Sequence, residues 1–197
     1  MAEYMPGEIW IGGRMAAALV PDLCAAISRE GVALEWDDCD FSPATADDLL
    51  EAVTPNKSGV RLLRLCNSQA RWGQFAALER FLEEHRVAYT RFSAAQQNYD
   101  HEKVEFRPNV GRAEMVSNSQ GESVVTASRV RAMDCALARA IESARSGSIE
   151  TAVRLLQSAR TSLRQSLPGE MPPLGPFEIV AGLRRPKPVS AREKAPF

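Results

Sequence analysis

Three short polar clusters hold the side chains of this chain that could do chemistry. Gly12-Gly13-Arg14 ends an apolar run, and paired glycines let backbone amides approach a phosphate while the arginine pairs with its charge. Asp37, Asp38 and Asp40 crowd one loop, an all-oxygen set of the kind that can hold Mg²⁺. Cys66-Asn67-Ser68-Gln69, with Arg71 just beyond, closes a third apolar run. At the carboxyl edge of a parallel sheet, Gly12, Gly13, Arg14, Asp37, Asp38, Asn67, Ser68 and Arg71 would converge on a phosphorylated, nucleotide-like ligand. No G-x-G-x-x-G and no G-x-x-x-x-G-K-[ST] accompanies them, and acidic loops after strands are commonly solvated turns. The clusters therefore stand alone, and no cofactor or metal is expected.

Nucleophiles are worse placed. Cys66 has no histidine nearer in sequence than His85, at the far end of the following helix, roughly 15–20 Å away at about 1.5 Å of rise per residue. A helix C-terminus suits His85 as a dipole partner or a packed ring. His101, in Tyr99-Asp100-His101-Glu102, has no second histidine at ligand spacing. Cys24, Cys39, Cys66 and Cys135 form no C-x-x-C pair, which argues against a disulfide framework and a structural zinc site. No catalytic residue is assigned, and the reading leans away from an enzyme.

The elements that must position these residues follow from periodicity. Glu8–Arg14 reads as a first strand, with Ile9 and Ile11 on one face and Trp10 opposite. Val20–Glu30 is a short helix with Pro21 in its first turn and Gly31 as its stop. Val32–Trp36 alternates as a second strand, and Thr45 caps a two- to three-turn helix carrying Asp47 and Asp48 at its positive end. The stretch Val60–Ala94 reads as strand, polar loop, amphipathic helix and strand. Its helix, Gln74–Arg86, sets Phe75, Leu78, Leu82 and His85 against a polar side of Glu79, Arg80, Glu83, Glu84 and Arg86. Lys103–Phe106 is an edge strand ended by Pro108.

Leu23, Ile27, Val32 and Leu34 recur as Leu78, Leu82, Val87 and Tyr89, 55 positions on. Two similar halves suit an α+β, two-layer split-βαβ sandwich of the ferredoxin-like type over residues 1–108. The alternative is a three-layer parallel α/β sheet, favoured by the extra helix at 45–53. Half-polar strands favour the sandwich, with one sheet face left open.

Past a polar linker at 109–122 the period changes to 3.6. One helix places Val130, Met133, Leu137, Ile141 and Ala144 on a face; a second runs from Ile149 to Leu167, and Ser146-Gly147-Ser148 turns between them. This αα-hairpin spans 123–168. Residues 169–197 form a Pro-rich basic tail, expected to be extended or disordered, with one apolar island at Phe177, Ile179, Val180 and Leu183.

Charge separates along the chain. Residues 1–100 carry 9 Lys/Arg against 15 Asp/Glu, and residues 101–197 carry 15 against 10. Nothing approaches the roughly 18 apolar residues of a membrane helix, and the N-terminus lacks a signal-peptide core, so a cytoplasmic location with no membrane partner is expected. The basic half suggests phosphate contacts through Arg129 and Arg131 on the hairpin and Arg184, Arg185 and Lys187 in the tail. Ile9-Trp10-Ile11-Gly12-Gly13 is superficially similar to the opening strand of RNA-recognition domains, in which Trp10 would stack on a base. The aromatic, glycine-rich motif those domains carry on their third strand is missing, which sets the chain outside that family. The expectation is a non-catalytic binding or regulatory protein engaging a protein or a nucleic acid through hairpin and tail. The alternative is a small enzyme or binder of a phosphorylated ligand at the strand ends.

Overall fold

The computed structural model of the chain describes residues 3–36, 38, 40–95, 100–166 and 171–183. Alternating strands and amphipathic helices assemble into a mixed α+β fold. In chain order come β1 (Tyr4–Gly12), β2 (Arg14–Ala16), α1 (Val20–Arg29), α2 (Ala46–Glu51), β3 (Val53–Pro55), β4 (Arg61–Arg71), α3 (Ala76–Glu84) and β5 (Ala88–Ser93). They are followed by β6 (His101–Arg107), β7 (Gly111–Ser117), α4 (Ala127–Arg145), α5 (Ile149–Ser166) and β8 (Glu178–Val180). Six strands form one sheet in the order β3-β4-β1-β5-β6-β7, and every pairing in it is antiparallel. The parallel three-layer alternative is thereby overturned. Its physical fault is that parallel strands need both faces covered, whereas these alternate apolar with polar and leave one face open.

One face of the sheet carries Ile9, Ile11, Leu63, Leu65, Tyr89 and Val104, all buried. Leu23 and Ile27 of α1, Leu49 of α2, and Leu78 and Leu82 of α3 pack on it as a single core. The two main helices are tied end to start. Glu30, just past α1, accepts from the amides of Ala77 (2.6 Å) and Leu78 (3.0 Å), and so caps α3, whose own N-cap residue Phe75 has no capping side chain.

Three sequence expectations need correction. Val32–Trp36 makes only an isolated bridge, Ala33 to Cys66, and no strand; the short β3 pairs with β4 instead. The supposed linker contains β7, which completes a β6–β7 hairpin at the sheet edge. The tail does not hang free over 171–183. Gly13 donates its amide to the carbonyls of Gly175 and Pro176, Phe177 donates to Arg61, and β8 runs parallel to β2. Phe177 is buried in the core, so the apolar island folds back on its own domain. A Cβ at Gly12 would collide with the Gly175 carbonyl oxygen, which is why the strap needs glycine beneath it.

Candidate functional site on the open sheet face

Period 2 sends every second side chain to the uncovered face. Trp10 of β1 stands opposite Arg64 of β4 and Thr90 of β5, and Glu8 stands opposite Phe92. On β6, Lys103 pairs with Phe92 and Glu105 with Thr90. These residues floor a cavity of about 870 Å³. Its walls come from four separate segments: Ser117–Gly121 at the end of β7, Pro173 and Leu174 of the C-terminal strap, Trp36, and Asn56 with Lys57.

The floor combines aromatic rings with cations held in place. The Arg64 guanidinium sits 5.6 Å from the Trp10 ring centroid, and Lys103 Nζ lies 5.8 Å from that of Phe92. Arg64 donates a short bond to Glu8; burial pulls its pKa down, and the Glu8 bond and charge more than reverse this. Lys103 lies 3.3 Å from Glu105. Arg107 serves the floor differently. It donates to Pro172 (2.6 Å), to the Tyr89 carbonyl (2.6 Å) and to the Thr90 hydroxyl (3.1 Å), and so pins the strap to the sheet. Burial lowers its pKa, partly offset by Glu105. Trp10 and Phe92 are diagonal neighbours across β1 and β5, a relation that sets side chains roughly 7–8 Å apart. Two planar groups joined by a short linker fit such a pair.

The residues singled out from sequence are dispersed by the antiparallel sheet. Gly12 lies against Leu62, while Asn67 pairs with Gly7, five residues along β4 and roughly 17 Å away at about 3.4 Å per residue. The Gly13 amide is already used by the strap, and Arg14 lies 3.8 Å from Glu178. Asn67, Ser68 and Arg71 belong to β4 itself rather than to a loop, and Arg71 is exposed at its end opposite Tyr4. Asp38 and Asp40 share a smaller cavity of about 350 Å³ with Asn67 and Ser68. There Asn67 is committed, donating to the Glu30 carbonyl and accepting from the Gln69 amide. Among the described residues no group of three or more acidic, His or Cys side chains could hold a metal ion. Asp37, Arg184, Arg185 and Lys187 lie outside the described residues. Arg129 and Arg131 are exposed in the first turns of α4.

Among the described residues, Trp10 is the only expected site residue that lines the larger cavity. Arg64, Phe92, Lys103 and Arg107 were missed. Their signal was available: each falls in the strand phase opposite Leu63, Tyr89 or Val104. Among the described residues no helix is long and apolar enough to cross a membrane. Comparison of the chain with models of protein families, with curated proteins and with solved structures gives no match.

Proposed function

We propose that this chain is a non-catalytic binding protein that holds a single-stranded nucleic acid across the open sheet face, with Trp10 and Phe92 as its stacking platforms. The carrying observation is the pairing of two aromatic side chains with Arg64 and Lys103 on the floor of one open cavity. Base–aromatic stacking tolerates any sequence, and neighbouring cations serve the phosphates. Five residues separate Gly121 of the wall from α4, whose exposed Arg129 and Arg131 would add phosphate contacts in this reading. Glu8 and Glu105 on the same floor are acceptors for exocyclic amino groups of bases.

The fold reading that accompanies this is a split-βαβ, ferredoxin-like unit made of β1, β3, β4 and β5 with α1 and α3. The order β3-β4-β1-β5 with antiparallel neighbours supports it. A cytoplasmic setting is consistent with Cys24, Cys66 and Cys135, which form no disulfide among the described residues.

The test is fluorescence anisotropy with labelled ten-nucleotide DNA and RNA at low salt. Binding should weaken linearly with the logarithm of salt concentration. Trp10→Ala should lose about 1–3 kcal/mol of binding, with an unchanged melting temperature. An absence of binding by the unmodified protein at low salt sinks the proposal.

A further inference from the structure

The hairpin α4–α5 is left with an apolar surface that nothing in the described chain covers. The two helices pack chiefly on each other, and among the described residues the only buried side chains they contribute are Ala140 and Ala152. Val130, Leu137 and Ile141 of α4, and Ile149, Val153, Leu156 and Leu163 of α5, are exposed, from 37% for Leu163 to 60% for Ile149. Two alanines bury too little to hold a two-helix hairpin against its conformational entropy. Large contiguous apolar patches of this kind mark interaction surfaces.

The spacing of the exposed residues says what covers them. On α4 they follow a four-three alternation, Val130, Asp134, Leu137, Ile141 and Ala144. On α5 the same alternation gives Ile149, Val153, Leu156, Arg160 and Leu163. This is a heptad seam on each helix, interrupted once on each by a charge. Asp134 and Arg160 are each thirteen residues from Gly147 in the turn, so they stand at the same height on antiparallel neighbours. No ion pair within the described residues engages either of them. One seam therefore carries a single negative charge, and the adjacent seam a single positive charge level with it.

We infer that a second copy of this chain covers this face, forming a four-helix bundle about a two-fold axis parallel to the helices. That operation lays α4 of one copy over α5 of its partner at unchanged height. Every apolar position then meets an apolar position, and each Asp134 meets the other copy's Arg160. A two-fold axis perpendicular to the helices would instead lay α4 on α4 with heights inverted and leave both charges opposite apolar residues. An acidic protein partner would match Arg160 but oppose Asp134, and a nucleic acid would leave the leucines wet. The area is sufficient: helices of 18 and 19 residues, each about 10 Å wide, bury on the order of 1,100 Å² over both copies. The inference is independent of the nucleic-acid reading, because it uses neither the sheet face nor its cations.

The experiment is sedimentation equilibrium of the full chain across micromolar concentrations, with circular dichroism to confirm helix content. The unmodified protein should be dimeric. Leu137→Glu together with Leu156→Glu should raise the dimer dissociation constant by at least about a hundredfold, because a charge would be buried unpaired. Asp134→Arg alone and Arg160→Asp alone should each weaken self-association by about tenfold, since each homodimer would then hold two like-charge contacts. Mixing these two variants should restore a dimer containing one copy of each, with both pairs formed. A monomeric unmodified protein, a dimer indifferent to the glutamate substitutions, or a mixture no tighter than its components would each overturn the inference. Oligonucleotide binding by the monomeric variant, measured in parallel, keeps failure here distinct from failure at the sheet face.

Discussion

The most heavily buried charge among the described residues is Arg91, whose side chain is fully shielded from solvent on the core face of β5. It donates to the Gly73 carbonyl (3.1 Å) and to the Ser93 hydroxyl, and reaches Glu102 at 2.5 Å. Its Nε lies 2.9 Å from Glu79 Oε1 at an angle too bent for a hydrogen bond, so charge alone acts there. Glu79 in turn accepts from the Phe75 amide and the Tyr89 hydroxyl, and Arg112 lies 3.6 Å away. Burial, then Glu79, pushes the Tyr89 phenol well above its ordinary range, so it stays a donor. Removing one member leaves an uncompensated charge in the core. Arg91→Met and Glu79→Leu should each cost about 3–5 kcal/mol, and the double variant less than the two together. Urea denaturation of all three gives the coupling, and additive losses would refute it. Period alone places Glu79 on the polar side of its helix. What hid it was Arg91 from the next strand, a partner no local pattern shows. Arg91 itself was legible as an anomaly, since it shares the phase of Val87 and Tyr89.

At the scale of elements, short α2 depends on its cap. The Asp48 carboxylate accepts from the amides of Ala44 and Thr45, while the Thr45 hydroxyl accepts from the Asp48 amide, a reciprocal capping box. Those amide bonds hold the Asp48 pKa below its ordinary value of 3.8. A depressed carboxyl stabilises the folded state at every pH above the ordinary value and loses that contribution as the pH falls through its folded pKa. The protection factors of the α2 amides, corrected for the intrinsic slowing of exchange in acid, should therefore fall below about pH 4. Thr45→Ala should cost about 1 kcal/mol at neutral pH, read by thermal melting. Helices were the most legible elements because their apolar stripes are local, although of α1, α2, α3 and α4 only α2 is capped by its own N-cap side chain. Strands were legible where both neighbours suit their alternation, as with β1, β4 and β5. They were misread where pairing decided the matter: Val32–Trp36 alternates well but finds one bridge, and Val53–Pro55 is three residues long yet pairs. Antiparallel pairing also scattered the three polar clusters, which sequence order cannot reveal.

For the molecule as a whole, the C-terminal segment has two roles that a single truncation would confound. Ending the chain after Leu167 removes Phe177 from the core and the strap from β2, together with the basic residues beyond. That truncation should lower stability by about 3–5 kcal/mol from the lost Phe177 side chain alone. Ending it after Leu183 removes no contact among the described residues and should leave thermal melting unchanged. If the basic residues serve phosphates, it should reduce the salt dependence of oligonucleotide binding. Equal melting temperatures for the two truncations would contradict the burial of Phe177.

The strap also fixes an order of events. Gly13 and Phe177 are separated by 164 positions, yet they are joined through neighbouring backbone bonds. During synthesis the sheet, its open face and the whole hairpin emerge before the segment that walls one end of the cavity. At a translation rate of about 5–20 residues per second, the nascent chain would spend several seconds with the Gly13 amide unpaired and the core site of Phe177 unfilled. A partner already stacked on Trp10 in that interval would find the far wall closing over it, so loading and final folding of this protein can be one process.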